Sequence, residues 1–160
     1  GPANAARLNR ADVLPGVGAF LAQDRAQRYT EGKVNYVPVV GPEGTPSALP
    51  TPESFEQFKR LVQANAPRWE NRVTLESMER FVEYTPGANI HRIGPTPLLM
   101  VVAEDDRLTP TDLALEAYGR AREPKKLVIF KGGHFDAYVE PAFNTTAGEA
   151  TAWFRQWLMR

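Results

Sequence analysis

The stretch from Pro95 to His134 constrains this chain more than any other. Leu98, Leu99, Met100, Val101, Val102 and Ala103 form an unbroken apolar run, the pattern of a parallel strand buried on both faces. The run ends at Glu104-Asp105-Asp106, and Arg107-Leu108-Thr109-Pro110 turns the chain toward a helix. Thr109 is read as the cap of that helix, Pro110 as its first residue, and Asp112 as the side chain that returns a bond to the cap. Leu113, Ala117 and Ala121 follow at four-residue spacing. Lys126-Leu127-Val128-Ile129-Phe130 reads as a second strand and ends in Lys131-Gly132-Gly133-His134. A strand, a helix and a strand make one right-handed crossover. This one presents an acid after the first strand and a histidine after the second, at carboxyl ends of strands, where ligands bind in open α/β sheets.

Asp106 in the pattern D-x-L-T-P and His134 in G-G-H-F resemble the last two members of an α/β-hydrolase triad, which follows the chain order nucleophile, acid, histidine. Their spacing, 134 − 106 = 28 residues, accommodates one helix and one strand. The resemblance runs from about Arg92 to the C-terminus and is weaker before it. It implies that His134 is the general base, taking a proton from the attacking hydroxyl. Asp106 would hold the imidazole in the correct tautomer and stabilise its protonated form. Asp105 competes for the acid role, but the alignment on D-x-L-T-P favours Asp106; Glu104 reads as structural or solvated.

The chain departs from that family in one respect. The fold sets its nucleophile on a strand-to-helix elbow, usually G-x-S-x-G, and no such motif occurs. The serines are Ser47, in a proline-rich stretch, Ser54, in a first helical turn, and Ser77, in an amphipathic helix; cysteine is absent. Acid and base are present without a group to activate, so the chain reads as the C-terminal portion of a hydrolase. The expected fold class is α/β: parallel strands with flanking helices, preceded by a helical cap region. The expected division is a cap with its connecting segments over residues 1–95 and part of the core domain over 96–160.

Two strands alone would leave both sheet edges open. A complementary N-terminal portion bearing the nucleophile is therefore expected, as a second polypeptide or through self-association. Zero formal net charge and no basic cluster argue against nucleic acid. Apolar runs far shorter than the ~20 residues of a membrane helix argue against a membrane span. Absence of cysteine and of a visible signal peptide points to the cytoplasm.

The segments before the crossover read as short amphipathic pieces. Ala3 to Asn9 is mildly helical, and Val17, Phe20 and Leu21 give a segment from Pro15 to about Tyr29 an apolar face. Glu31 to Pro50, rich in proline and glycine, reads as an extended excursion. Thr51-Pro52-Glu53 begins a helix with Phe55, Phe58, Leu61 and Val62 on one face. Thr74 caps another, with the stripe Leu75, Met78, Phe81 and Val82, which Pro86-Gly87 stops. A final helix starts at Asn144 or Thr145, with Ala147, Ala150, Phe154, Trp157 and Leu158 turned toward the sheet.

Other chemistry-bearing residues take plain readings. His91 reads as a packing or surface histidine, and Asp136 as a solvated carboxylate rather than a loop-setting one. Trp69, Phe81, Tyr84 and Phe135 read as core rather than as pocket lining. Two separated histidines without cysteine define no zinc site, and no glycine-rich phosphate loop indicates a nucleotide, so no metal and no cofactor is expected. The resemblance implies acyl transfer to water from an ester, thioester or lactone, a small-molecule substrate. An aspartate nucleophile would suit epoxide or haloalkane hydrolysis. The competing class is a non-catalytic fragment or degenerate hydrolase that binds a ligand or partner.

Overall fold

The computed structural model describes residues 14–159, which fall into two compact units, one ending at Tyr84 and one beginning at Thr85. The reading of Ala3 to Asn9 as helical lies outside the described residues.

The first unit contains α1 (Leu14–Glu31), β1 (Tyr36–Val37), α2 (Pro52–Asn65), β2 (Val73–Thr74) and α3 (Leu75–Glu83). The cap read at Thr74 is present, and Thr51 caps its helix in the same way: their hydroxyls accept the backbone N–H groups of Ser77 and Ser54, each at 3.2 Å. Those bonds satisfy donors that the first turn of a helix leaves free. The excursion after α1 is extended but not featureless. Tyr36 and Val37 pair antiparallel with Thr74 and Val73, a ladder of two residues per strand that no periodicity announces. Asn71 stands in for a strand neighbour further on, donating to the Val40 carbonyl at 2.8 Å and accepting the Val40 N–H at 3.0 Å.

A polar cluster ties α1 to α3. Asp24, 2% exposed, accepts from Arg28 at 2.8 Å and from Asn35 at 2.9 Å. Arg28 also reaches Glu79 at 2.5 Å, and Arg25 binds the other Glu79 oxygen through Nε at 2.6 Å and through Nη2. Carboxylates this well covered persist because cations meet them. The Arg25 bond, ahead of the burial that opposes it and of Arg28's bond, holds the Glu79 carboxyl below its ordinary value. Leu21, Val40 and Leu75 are the buried large apolar residues among those described in this unit. The expected core aromatics of α3 are a correction: Phe81 is 53% exposed and Tyr84 67%. Among its described residues Leu75 and Glu79, one turn apart, are the buried ones, and the helix turns Phe81 outward.

The second unit carries the crossover: β3 (Leu98–Ala103), α4 (Thr111–Arg120) and β4 (Lys125–Phe130), then α5 (Ala142–Leu158). Short 3₁₀ segments precede β3 (Pro86–Arg92) and follow β4 (Asp136–Tyr138). The strands pair in parallel from Leu98↔Lys125 to Ala103↔Phe130, so the sequence-read strand–helix–strand unit is the one observed. Burial is concentrated at the carboxyl ends, at Val102, Ala103 and Phe130, with Ala121 and Trp153. Covered faces throughout were expected; instead Val101 is 36% and Ile129 49% exposed, because the pair has no further strand beside it among the described residues.

The end of α4 and the start of β4 are pinned together. The Lys125 ammonium donates to the carbonyls of Tyr118 and Ala121, both at 2.8 Å, and lies 4.5 Å from the Tyr118 ring centroid. It adds a charged donor at carbonyls of the helix end, where the dipole favours a cation. The inward face of α5 also differs from the expected one. Thr146 and Trp153 are buried, Trp153 stacks on Trp157 with centroids 5.6 Å apart, and Phe154 and Leu158 are exposed. The helix begins earlier than expected, at Ala142 after Pro141. No helix among the described residues is long and apolar enough to cross a membrane.

Candidate active site

The parallel register sets the site. Ala103 and Phe130 end their strands side by side, and the ladder continues for two further bonds. Glu104 N–H donates to the Phe130 carbonyl at 2.9 Å, and Asp105 N–H to the Gly132 carbonyl at 3.0 Å. The two loops therefore leave the sheet together, one carrying Asp106 and the other His134. Asp105 is used through its backbone, and the carboxylate that meets the histidine is that of Asp106. His134 Nδ1 lies 2.8 Å from Asp106 Oδ2.

Asp106 is held from several directions. Its Oδ1 accepts the N–H groups of Leu108 at 2.9 Å and Thr109 at 2.7 Å, the pattern of an Asx-turn. Its Oδ2 accepts the Thr109 hydroxyl at 2.8 Å in addition to His134. Behind it, Thr111 accepts the Asp106 N–H at 3.3 Å and donates to the carbonyls of Ala103 at 2.7 Å and Glu104 at 3.0 Å, tying the acid's backbone to the strand end. Burial acts to raise the Asp106 pKa. The Thr109 N–H, the His134 bond and the Thr109 hydroxyl together outweigh it and hold the carboxyl below its ordinary value.

Thr109 and Asp112 correct the sequence reading. Helix α4 begins at Thr111 with Pro110 at the cap position and no side-chain cap bond. Thr109 is drawn away because a carboxylate competes for its hydroxyl, and Asp112 Oδ1 accepts the Leu113 N–H at 2.9 Å. The hydroxyl also lies 3.2 Å from His134 Nδ1.

The loop carrying His134 is shaped by a glycine and a carboxylate. Gly132 has φ +127°, and a Cβ there would meet Asp136 Oδ2 at 2.5 Å and its Cβ at 2.9 Å; only glycine takes that backbone without strain. Asp136 Oδ2 accepts the Gly133 N–H at 2.7 Å. The solvated reading of Asp136 is thus corrected to the loop-setting one, the signal having been its position two residues after the histidine. The His134 ring meets Phe135 edge-on at 4.9 Å. Its side chain is 27% exposed and that of Asp106 10%, so the imidazole reaches the surface while the carboxylate is screened. His91 lies apart in sequence, in the 3₁₀ segment before β3.

An imidazole that donates from Nδ1 to the Asp106 carboxylate and is otherwise bare keeps its lone pair on Nε2. A group so arranged can accept a proton from a hydroxyl and return it to a leaving group. Two serines of the first unit are occupied otherwise: the Ser54 and Ser77 hydroxyls pair with the capping Thr51 and Thr74 at 2.7 and 2.8 Å.

No protein-family model matches the chain. Among curated proteins it is 36% identical over 115 residues to a polyketide transferase of Gibberella fujikuroi, covering 71% of this chain and 35% of that protein. It is 29% identical over 130 residues to a thiohydrolase of Eupenicillium brefeldianum, covering 78% and 42%. The matches thus span well under half the length of these relatives. Among solved structures it is similar to the alpha/beta hydrolase GrgF from Penicillium sp. sh18, with TM-score 0.76, 23% identity and coverage of 94% of this chain and 52% of that one. DcsB, solved in complex with its substrate analogue, gives TM-score 0.77 and 21% identity, with coverage of 94% and 53%.

Proposed function

From the premise that this chain has the C-terminal part of the α/β-hydrolase fold, we propose that it supplies the acid and the base of an acyl-transfer triad, Asp106 and His134. The observation that carries the reading is the 2.8 Å bond between them at the ends of adjacent parallel strands. The nucleophile in this reading is a serine on an N-terminal portion outside these 160 residues, as upstream sequence or as a second polypeptide. The same portion would supply the oxyanion donors. The helices of the first unit are assigned to the cap region.

The chemistry runs in two halves. His134 Nε2 takes the serine proton as the hydroxyl oxygen attacks the acyl carbonyl, and Asp106 stabilises the imidazolium. When the tetrahedral intermediate collapses, the carbon–sulfur or carbon–oxygen bond breaks and the leaving group takes the proton from Nε2. An incoming acceptor then gives its proton to His134 and attacks the acyl-serine; the bond from acyl carbon to serine oxygen breaks, the serine takes the proton back from Nε2, and the product leaves. Water as acceptor gives hydrolysis, and an alcohol or amine gives transfer. The names of the curated relatives, polyketide transferase and thiohydrolase, favour the thioester of a polyketide chain as donor over a simple ester or lactone.

The test supplies the nucleophile-bearing portion and follows thiol release from a small acyl thioester. Activity should appear on complementation and fall by roughly 10³- to 10⁶-fold in His134→Ala, to the level left by binding and the oxyanion hole. Full activity in that variant, or none after complementation with a folded partner, would remove the reading.

A further inference from the structure

The Thr109 hydroxyl stands between the acid and the base. It lies 2.8 Å from Asp106 Oδ2 and 3.2 Å from His134 Nδ1, while those two atoms are themselves 2.8 Å apart. The three atoms form a triangle in which one hydroxyl hydrogen has two destinations. An ionised carboxylate is the stronger acceptor and the nearer one, so the hydrogen goes to Oδ2 and a lone pair of the hydroxyl oxygen turns toward Nδ1. The imidazole nitrogen then faces two acceptors. A lone pair on Nδ1 would meet two oxygens, whereas a hydrogen there meets both favourably.

We propose that Thr109 is a positioning residue that acts through His134, its hydroxyl adding a second acceptor that holds the imidazole in the Nδ1–H tautomer. The proposal rests on the triad reading and deepens it, because that tautomer leaves Nε2 free to take the nucleophile's proton. Asp106 does not depend on the hydroxyl for its own orientation. Two backbone N–H groups grip Oδ1, and Thr111 anchors the backbone behind it. Removing only the hydroxyl therefore leaves the carboxylate in place and takes away the second acceptor.

The test compares Thr109→Val, near in shape but without the hydroxyl, Thr109→Ala, and Thr109→Ser, which keeps the hydroxyl. The chain contains two histidines, so ¹⁵N spectra of the imidazoles are assigned with His91→Gln. At a pH where His134 is neutral, the Val and Ala variants should show a several-fold larger share of the Nε2–H tautomer, and the Ser variant the wild-type share. In the complemented enzyme, kcat should fall about tenfold in the Val variant with KM unchanged, the size expected for one hydrogen bond, and recover in the Ser variant. An unchanged tautomer in both the Val and Ala variants overturns the proposal. Loss of the native amide spectrum in both, with Ser native, overturns it too, since Thr109 would then serve folding. A shifted tautomer without hydrolytic activity in any form would leave this inference standing and remove the triad reading. Activity dependent on His134, with the tautomer unmoved, would do the opposite.

Discussion

Ala103 and Phe130 are register partners on the last rung of the parallel ladder, and each is the final strand residue before a loop that carries one member of the Asp106–His134 pair. Asp106 lies three positions past Ala103 (106 − 103) and His134 four positions past Phe130 (134 − 130). The pair thus meets because two strands end level. Phe130 is buried, and Phe130→Ala should cost about 3–5 kcal/mol. Chemical denaturation of the second unit checks this. A loss below about 1 kcal/mol would mean that the strand ends repack without it.

Asp106→Asn should preserve the fold and lower kcat by about 10⁴-fold in the complemented enzyme. An amide oxygen can still accept the Leu108 and Thr109 N–H groups, but the amide NH₂ then faces His134 and favours a bare Nδ1. Thioester kinetics beside the thermal melt separate the two effects. An unaffected rate would move the acid elsewhere.

Gly132→Ala should destabilise the His134 loop by about 1–3 kcal/mol. The residue sits at φ +127°, and the added carbon meets Asp136 at 2.5 Å. Activity should fall by as much as roughly 100-fold, as expected for displacing a catalytic group by about 1 Å. A double-mutant cycle with Asp136→Ala should show coupling, because removing the carboxylate takes away the 2.5 Å contact, leaves the one to Cβ at 2.9 Å, and strips the Gly133 N–H of its acceptor. Strict additivity would refute the contact.

Both depressed carboxyls predict acid lability. A group whose folded pKa lies below its unfolded value adds stability at higher pH and loses it as pH falls through the folded value. The ordinary values are 3.8 for Asp106 and 4.5 for Glu79, and both are lowered. Their contribution should therefore be complete above about pH 5 and disappear as the pH drops below 4. Melting temperature against pH should show this fall, and Glu79→Gln should flatten it for the first unit. An equally steep fall in that variant would assign the acid sensitivity to other carboxylates.

The crossover and the meeting of Asp106 with His134 are legible in the sequence because they rest on local patterns: apolar runs, a glycine pair, and an acid and a histidine placed after strands. Other features depend on long-range pairing. Tyr36–Val37 and Val73–Thr74 carry two residues each, too few for any period, and pair only because the chain returns. The cluster of Asp24, Arg25, Arg28 and Glu79 joins positions some fifty residues apart, as with Arg28 and Glu79, and nothing in either helix alone identifies the partner. Thr109 fails for a different reason. A threonine before proline is a sound local signal for a cap, and the carboxylate three residues earlier overrides it. The face of α5 is misjudged because Phe154 and Leu158 outrank Thr146 in hydrophobicity, while the packed stripe runs through Thr146 and Trp153.

The Lys125 pin bears on how such a chain can change length. Its ammonium reaches back to carbonyls at positions 118 and 121, so the link from α4 to β4 behaves as a ruler. An inserted residue there would pull the cation off the helix end or slide β4 by one position. A slide would turn Phe130 to the opposite face of the sheet and carry His134 away from its acid. Length variation among descendants of this chain should therefore gather in places such as the turns of residues 41–50 and avoid the three residues between Ala121 and Lys125, where a gap or an insert would be read as loss of the site.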